Sequence, residues 1–256
     1  MSTYQDDFYR DPTLYDLEYM NLVEDLEHYR RLALAAGAVL ELGCGTGRVT
    51  LPMARTGARV VGVDLSVPML ECLEQKLEAD LDVRLVHADF RHLDLGQTFP
   101  LIVLPFNAFH HLYTADEVLD FFERLEAHLE PEGRFALDLL VPDFRFFERD
   151  PDGVYEVRRR PDPDGGMMKS WENGWYDTIA QVNHVRYHYE RADGRRQLIE
   201  VPMRMWYPQE ILGLLRLGRW TLLRCDQDFK GTPLGPKAMK MVLVLRPRKG
   251  RGRASS

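Results

Sequence analysis

Short apolar runs alternate with segments of helical spacing through the first half of the chain. Runs near 38–42, 59–63, 83–87, 100–105 and 134–140 read as buried strands, and the patterns near 47–56, 67–79 and 115–129 read as helices. Strand and helix in alternation predict a doubly wound α/β core with a parallel sheet over residues 37–142. Ahead of it, Leu14, Leu17, Leu22, Leu26, Tyr29 and Leu32 recur near helical spacing, which makes residues 1–36 a helical cap.

Beyond Pro142 the pattern changes. Asp150-Pro151-Asp152-Gly153 and Pro161-Asp162-Pro163-Asp164-Gly165-Gly166 are turn signals. The segments between and after them are rich in Val, Tyr, Trp, Ile and Thr, so residues 143–205 are expected to form an antiparallel β insertion hinged at Pro142-Asp143. Its last two strands meet around Ala192-Asp193-Gly194. A two-residue Asp-Gly turn would set Ile199 opposite His188 and Val201 opposite Arg186, apolar against polar. A three-residue loop with Gly194 left-handed sets Ile199 against Tyr187, Glu200 against Arg186 and Val201 against Val185. One buried face requires the second register. Pro202 marks an edge strand or bulge. Residues 206–246 then read as a helix from Pro208 to about Leu217 and two closing strands near 220–228 and 238–246.

Composition narrows the class. The chain has 256 residues, 45% hydrophobic and 29% charged, room for one sizeable core with an embellishment. No run reaches the length of a membrane span, and Met-Ser-Thr-Tyr-Gln-Asp-Asp is no signal peptide. Cys44, Cys72 and Cys225 are odd in number and lack metal-ligand spacing, so no metal is expected and reduced thiols in a cytoplasmic protein are. A formal charge of −7 speaks against a dedicated nucleic-acid binder. The five cations from Arg246 to Arg253 read as a solvated, frayed tail over 247–256, since nothing aromatic is interleaved for base stacking.

The chemistry concentrates in Val39-Leu40-Glu41-Leu42-Gly43-Cys44-Gly45-Thr46-Gly47-Arg48. An apolar strand ends in an acidic residue, and a turn with glycines at alternate positions leads into a helix. Such a turn lets the backbone approach a ligand closely and aims N–H groups at it. A dinucleotide turn would need its third glycine at position 48, where Arg48 stands. Val60-Val61-Gly62-Val63-Asp64 is a second strand ending in a carboxylate, 21 residues after Gly43, placed to accept ribose hydroxyls.

Glu41, Gly43, Gly45 and Gly47 fill the acidic-x-Gly-x-Gly-x-Gly signature, and over residues 37–140 the chain resembles the class I methyltransferases that use S-adenosylmethionine. The resemblance implies a Rossmann-like seven-stranded sheet with S-adenosyl-L-methionine as cofactor. It places Asp89, in Ala88-Asp89-Phe90, at the adenine amino group, with Ala88 and Phe90 beside the ring. It implies that Cys44, Leu65, Met69 and Pro105 also line the donor site. The antiparallel insertion would roof the substrate pocket.

Catalytic candidates lie where strand ends face the crevice. His110 and His111 follow the fourth strand; a histidine there can accept or orient an acceptor proton, or the two can be a structural pair. The antibiotic-sugar N-methyltransferases look similar, with a histidine that matches His111. They also resemble the chain at Tyr15-Asp16, where the first tyrosine closes over the sulfonium; the alternative is a cap helix that uses tyrosines for packing. Tyr9 and Tyr19 are further candidates. Arg48 at a helix N-terminus implies a local anion, taken as the donor carboxylate. For the acceptor side the candidates are Asn107, His110, Trp171, Trp175, Met203 and Trp206, with Met205 beside them.

A small-molecule methyltransferase acting on nitrogen or oxygen is therefore expected. The competing readings are a non-catalytic S-adenosylmethionine-binding regulator and an RNA methyltransferase. The fourth strand ends Leu104-Pro105-Phe106-Asn107, unlike the motif of enzymes that methylate exocyclic base nitrogens. A homodimer through the exposed edge of the insertion is the expected assembly.

Overall fold

The computed structural model describes residues 7–19 and 21–248. A short 3-10 turn at Asp7–Arg10 leads into helices α1 (Pro12–Tyr19) and α2 (Leu26–Ala36), which make up the cap. The core follows as β1 (Ala38–Leu42), α3 (Thr50–Ala54), β2 (Arg59–Asp64), α4 (Val67–Lys76), β3 (Val83–His87), β4 (Phe99–Leu104), α5 (Ala115–His128) and β5 (Leu129–Leu140). Helix α3 is shorter than its apolar pattern predicts, because the residues through Val49 belong to the glycine turn. Strand β5 is longer than expected. It runs through Pro131-Glu132-Gly133 with a register shift against β4, so these residues form an irregularity inside the strand.

Helix α6 (Phe144–Phe147) then precedes strands β6 (Tyr155–Pro161), β7 (Met167–Asp177), β8 (Val182–Glu190) and β9 (Arg196–Arg204). Helix α7 (Pro208–Leu217), β10 (Trp220–Asp226) and β11 (Lys240–Pro247) close the chain. The main sheet has seven strands in the order β10-β11-β5-β4-β1-β2-β3. Strands β1 to β5 run parallel, and β11 is antiparallel to both β5 and β10. This is the Rossmann-like methyltransferase arrangement. The strand order reverses between β1 and β4, and ligands bind at such a switch point, beyond the carboxyl ends of the strands.

The second sheet has four antiparallel strands in the order β6-β7-β8-β9. Tyr187 pairs with Ile199, Arg186 with Glu200 and Val185 with Val201, the register of the three-residue loop. Alternation sends Met168, Tyr189, Ile199 and Val201 to one face, where they bury against Leu14 of α1. Helix α1 therefore lies between the inserted sheet and the core, while α2 packs on the core itself. Glu18 of α1 pairs with Arg160 of β6, and Asp11 with Arg191, at its two ends. No helix among the described residues is long and apolar enough to cross a membrane. Of the basic tail, residues from Lys249 onward lie outside the described residues.

Candidate active site

The glycine turn sits at the end of β1. Gly43, Gly45 and Gly47 all have positive φ, at 67°, 52° and 88°. A Cβ on Gly47 would lie 2.2 Å from Cδ1 of Leu73, so any larger residue there would have to displace that buried side chain as well as take a positive φ. Nothing lies within 4 Å of a Cβ built on Gly45, so the backbone there is open to close approach. Asp64, at the end of β2, accepts the N–H of Gly45 at 2.7 Å and of Ser66 at 2.8 Å. Burial raises its carboxyl, against the lowering by these backbone donors. Each carboxylate oxygen retains a lone pair for a ribose hydroxyl.

The other expected donor residues are distributed unevenly. Glu41 is buried and accepts the Thr50 hydroxyl at 2.6 Å, and burial pushes its carboxyl up to about 8. Cys44 packs with Leu70 and Leu73, Met69 and Pro105 are buried, and Leu65 is exposed. Ala88 and Phe90 pack on the main core cluster, with Phe90 5.5 Å edge-on to Phe121. Asp89 caps the turn at Phe90–His92, and both its oxygens accept from Arg91. Burial works against its ionisation, but Arg91 prevails and holds it below the usual carboxylate range.

Arg48 departs from expectation. Its guanidinium grips Asp25, just ahead of α2, with two bonds of 2.7 and 2.6 Å, and it also donates to the Leu22 carbonyl. The anion that this cation meets in the structure is a protein carboxylate. The guanidinium lies over the Phe106 ring at 4.5 Å.

From Phe106 a line of rings crosses the mouth of β4. Phe106 meets Tyr19 at 4.8 Å, Tyr19 meets Tyr15 at 4.9 Å, and Tyr15 meets Tyr9 at 6.2 Å. Tyr9 meets His111 edge-on at 5.7 Å, and its hydroxyl is 2.9 Å from Nε2. The arch starts and ends on the same loop, with three cap tyrosines between. Burial pushes the His111 imidazole down to about 4, with His110 and Arg91 adding to the shift, so it is neutral near pH 7. Burial also raises the Tyr15 phenol, which stays protonated.

The cap is tied to the glycine turn. Thr46 donates its hydroxyl to Asp16 at 2.6 Å, Lys76 pairs with the same carboxylate, and Ser66 donates to the Tyr9 carbonyl.

His110 is not a substrate ligand. It is 0% exposed, its Nδ1 lies 2.6 Å from the Arg204 carbonyl and its Nε2 accepts the Leu140 N–H at 3.0 Å. With both nitrogens engaged by backbone, it is the structural member of the pair. Trp206 is core as well, 2% exposed, with its indole N–H on the Leu112 carbonyl. Met205 is likewise buried. Trp171 and Trp175 lie on the other face of the inserted sheet, stacked on the cross-strand partners His188 and His184. Strand alternation puts them opposite Met168, away from the arch. Met203 packs against the same buried cluster as Tyr9, Tyr15, Tyr19 and Tyr187. Asn107 is left-handed, with φ 63°, and its side-chain oxygen is buried without a protein partner.

Sequence reasoning passed over Asp138. It is 0% exposed near the end of β5, and one oxygen accepts both the Tyr29 hydroxyl at 2.7 Å and the Phe106 N–H at 2.8 Å. A lone carboxylate inside Phe135-Ala136-Leu137-Asp138-Leu139-Leu140 was the signal, because a charge buried in an apolar strand needs partners. Phe106 and Asn107 are consecutive non-glycine residues at positive φ, 56° and 63°, which costs on the order of 1–3 kcal/mol each.

Residues 39–133 match the family described as methyltransferase domain. The chain is 40% identical over 104 residues to the cypemycin N-terminal methyltransferase of a Streptomyces species, 41% of this chain and 42% of that protein. It is 30% identical over 128 residues to the dTDP-3-amino-3,6-dideoxy-alpha-D-glucopyranose N,N-dimethyltransferase of Streptomyces fradiae, 47% of this chain and 49% of that protein. The chain thus spans about half the length of these curated relatives. Among solved structures, the CcbJ methyltransferase of Streptomyces caelestis superposes with a TM-score of 0.72 at 28% identity, over 88% of this chain and 90% of that one.

Proposed function

From the premise that this chain carries an S-adenosylmethionine-dependent methyltransferase domain, we propose that it methylates an amine nitrogen of a small-molecule acceptor beneath the tyrosine arch. The observation that carries the reading is the Tyr9–His111 contact at the mouth of β4, under cap tyrosines anchored to the glycine turn. The relatives named for N-terminal and amino-sugar N-methylation favour nitrogen over oxygen.

S-adenosylmethionine supplies an electrophilic methyl on a sulfonium, which an in-line nucleophile takes while sulfur keeps the bonding pair. The chain's residues supply the rest. Gly43, Gly45 and Gly47 let the backbone lie against the donor, and Asp64 accepts its ribose hydroxyls. Tyr15 covers the methyl, a phenol ring being a favourable neighbour for a sulfonium. Alignment of this kind contributes roughly 7–11 kcal/mol when reacting atoms are held in near-attack geometry. His111, neutral near pH 7 and pushed down to about 4, is a weak base, so its part is to orient the acceptor nitrogen by a hydrogen bond while the proton leaves to solvent. Met203 lines the acceptor side.

The expected homodimer meets a charged strand at one edge of the insertion. Arg158 and Arg159 are exposed on β6 and blunt edge-to-edge pairing, so a dimer would need another surface. Sedimentation tests this directly. The functional reading is tested by a donor-turnover screen that sets dTDP-3-amino-3,6-dideoxyglucose and peptide N-termini against phenols and carboxylic acids. Turnover confined to amines supports it, and turnover confined to oxygen acceptors overturns the choice of nitrogen.

A further inference from the structure

We propose that Asp138 is a positioning residue of this site: it holds the left-handed Phe106–Asn107 turn and so fixes one foot of the tyrosine arch. Phe106 and Asn107 both stand at positive φ, a conformation that non-glycine side chains resist, so something outside the turn must impose it. The Phe106 N–H points inward, and its acceptor is the Asp138 carboxylate at 2.8 Å. That same oxygen takes the Tyr29 hydroxyl at 2.7 Å, which keeps the carboxylate from swinging away. The other oxygen is buried without a hydrogen-bond partner among the described residues, and burial raises this carboxyl, so the group is held here at a cost that an apolar residue would not carry.

The consequence reaches the arch. Once its backbone is set, the Phe106 ring lies against both Arg48 and Tyr19. The opposite foot is held from the same strand, because the Leu140 N–H donates to His110, the neighbour of His111. Two residues of β5, Asp138 and Leu140, therefore fix the ends of the loop that bears Phe106 and His111. The spacing between the feet is set by β5, not by the loop's own sequence.

The kinetic part of this inference rests on the methyltransferase reading; the backbone part does not. Amide hydrogen exchange at Phe106 is measured on the full chain for wild type, Asp138→Ala, Asp138→Leu and Asp138→Asn. Slow exchange is expected in wild type and in Asp138→Asn, which keeps an acceptor oxygen for the amide, and fast exchange in the other two. Asp138→Leu fills the volume should Asp138→Ala fail to fold. With dTDP-3-amino-3,6-dideoxyglucose as probe acceptor, kcat of Asp138→Leu should fall by about 10²-fold through misplacement, with recovery in Asp138→Asn. Calorimetric affinity for S-adenosylhomocysteine should hardly change. Equal protection of Phe106 in all four proteins overturns the proposal, as does an Asp138→Asn variant as exchange-labile as Asp138→Leu. A wild type that methylates no amine defeats the functional reading and leaves exchange to decide this one.

Discussion

The Tyr9 hydroxyl and Nε2 of His111, 102 residues apart in the chain, lie 2.9 Å from each other. This contact joins the cap to the mouth of β4 and gives the imidazole a hydrogen-bond partner. His111→Ala should keep donor affinity and lower amine turnover by about 10²-fold, the scale for loss of acceptor alignment. Tyr9→Phe should move the pH profile of turnover while leaving the imidazole in place. Equal rates for His111→Ala and wild type at every pH would reduce His111 to packing.

Asp64 accepts two backbone N–H groups and still faces the glycine turn. Asp64→Ala should weaken calorimetric binding of S-adenosylhomocysteine by roughly 2–3 kcal/mol, the loss of charge-assisted bonds to both ribose hydroxyls. Unchanged affinity in a folded variant removes Asp64 from the donor site.

Burial pushes the Glu41 carboxyl from 4.5 up to about 8. Between those values the folded chain holds more protons than the unfolded chain, so this group costs increasing stability as pH rises through the window. Glu41→Gln keeps an acceptor for Thr50 and cannot ionise. Its Tm advantage over wild type should be small near pH 5 and clear above about pH 8. An advantage independent of pH would show that Glu41 ionises normally.

Two of the tryptophans proposed for the acceptor side predict opposite behaviour. Trp206, just past the insertion and 2% exposed in the main core, should cost about 3–5 kcal/mol when changed to Ala, read from urea unfolding. Trp175 is 42% exposed on the face away from the arch, and Trp175→Ala should leave the acceptor KM unchanged. A large rise in KM for Trp175→Ala would place the acceptor on that face.

The strand and helix pattern was legible because each core strand is a short apolar run bounded by turn residues. The Tyr187–Ile199 pairing was legible for a related reason, since one buried face admits only one register. The glycine turn was legible because three alternate positions with positive φ each favour glycine. What could not be read were partnerships across long sequence separations. Arg48 correctly implied an anion, but nothing local identified Asp25 as that anion. His110 and His111 are adjacent and chemically alike. Only the fold shows that Arg204 and Leu140 consume one while Tyr9 meets the other. Trp171 and Trp175 share a parity opposite to Met168, which a strand register could have shown, but which face meets the cap was not in the pattern.

The purified chain, given S-adenosylmethionine carrying a deuterated methyl and dTDP-3-amino-3,6-dideoxyglucose or another small primary amine, should return the acceptor with the labelled methyl on nitrogen. S-adenosylhomocysteine should form in equal amount, and the label should be largely lost with His111→Ala. Stoichiometric binding of S-adenosylhomocysteine with no label on any acceptor would contradict methyl transfer and leave a binding module in place of an enzyme.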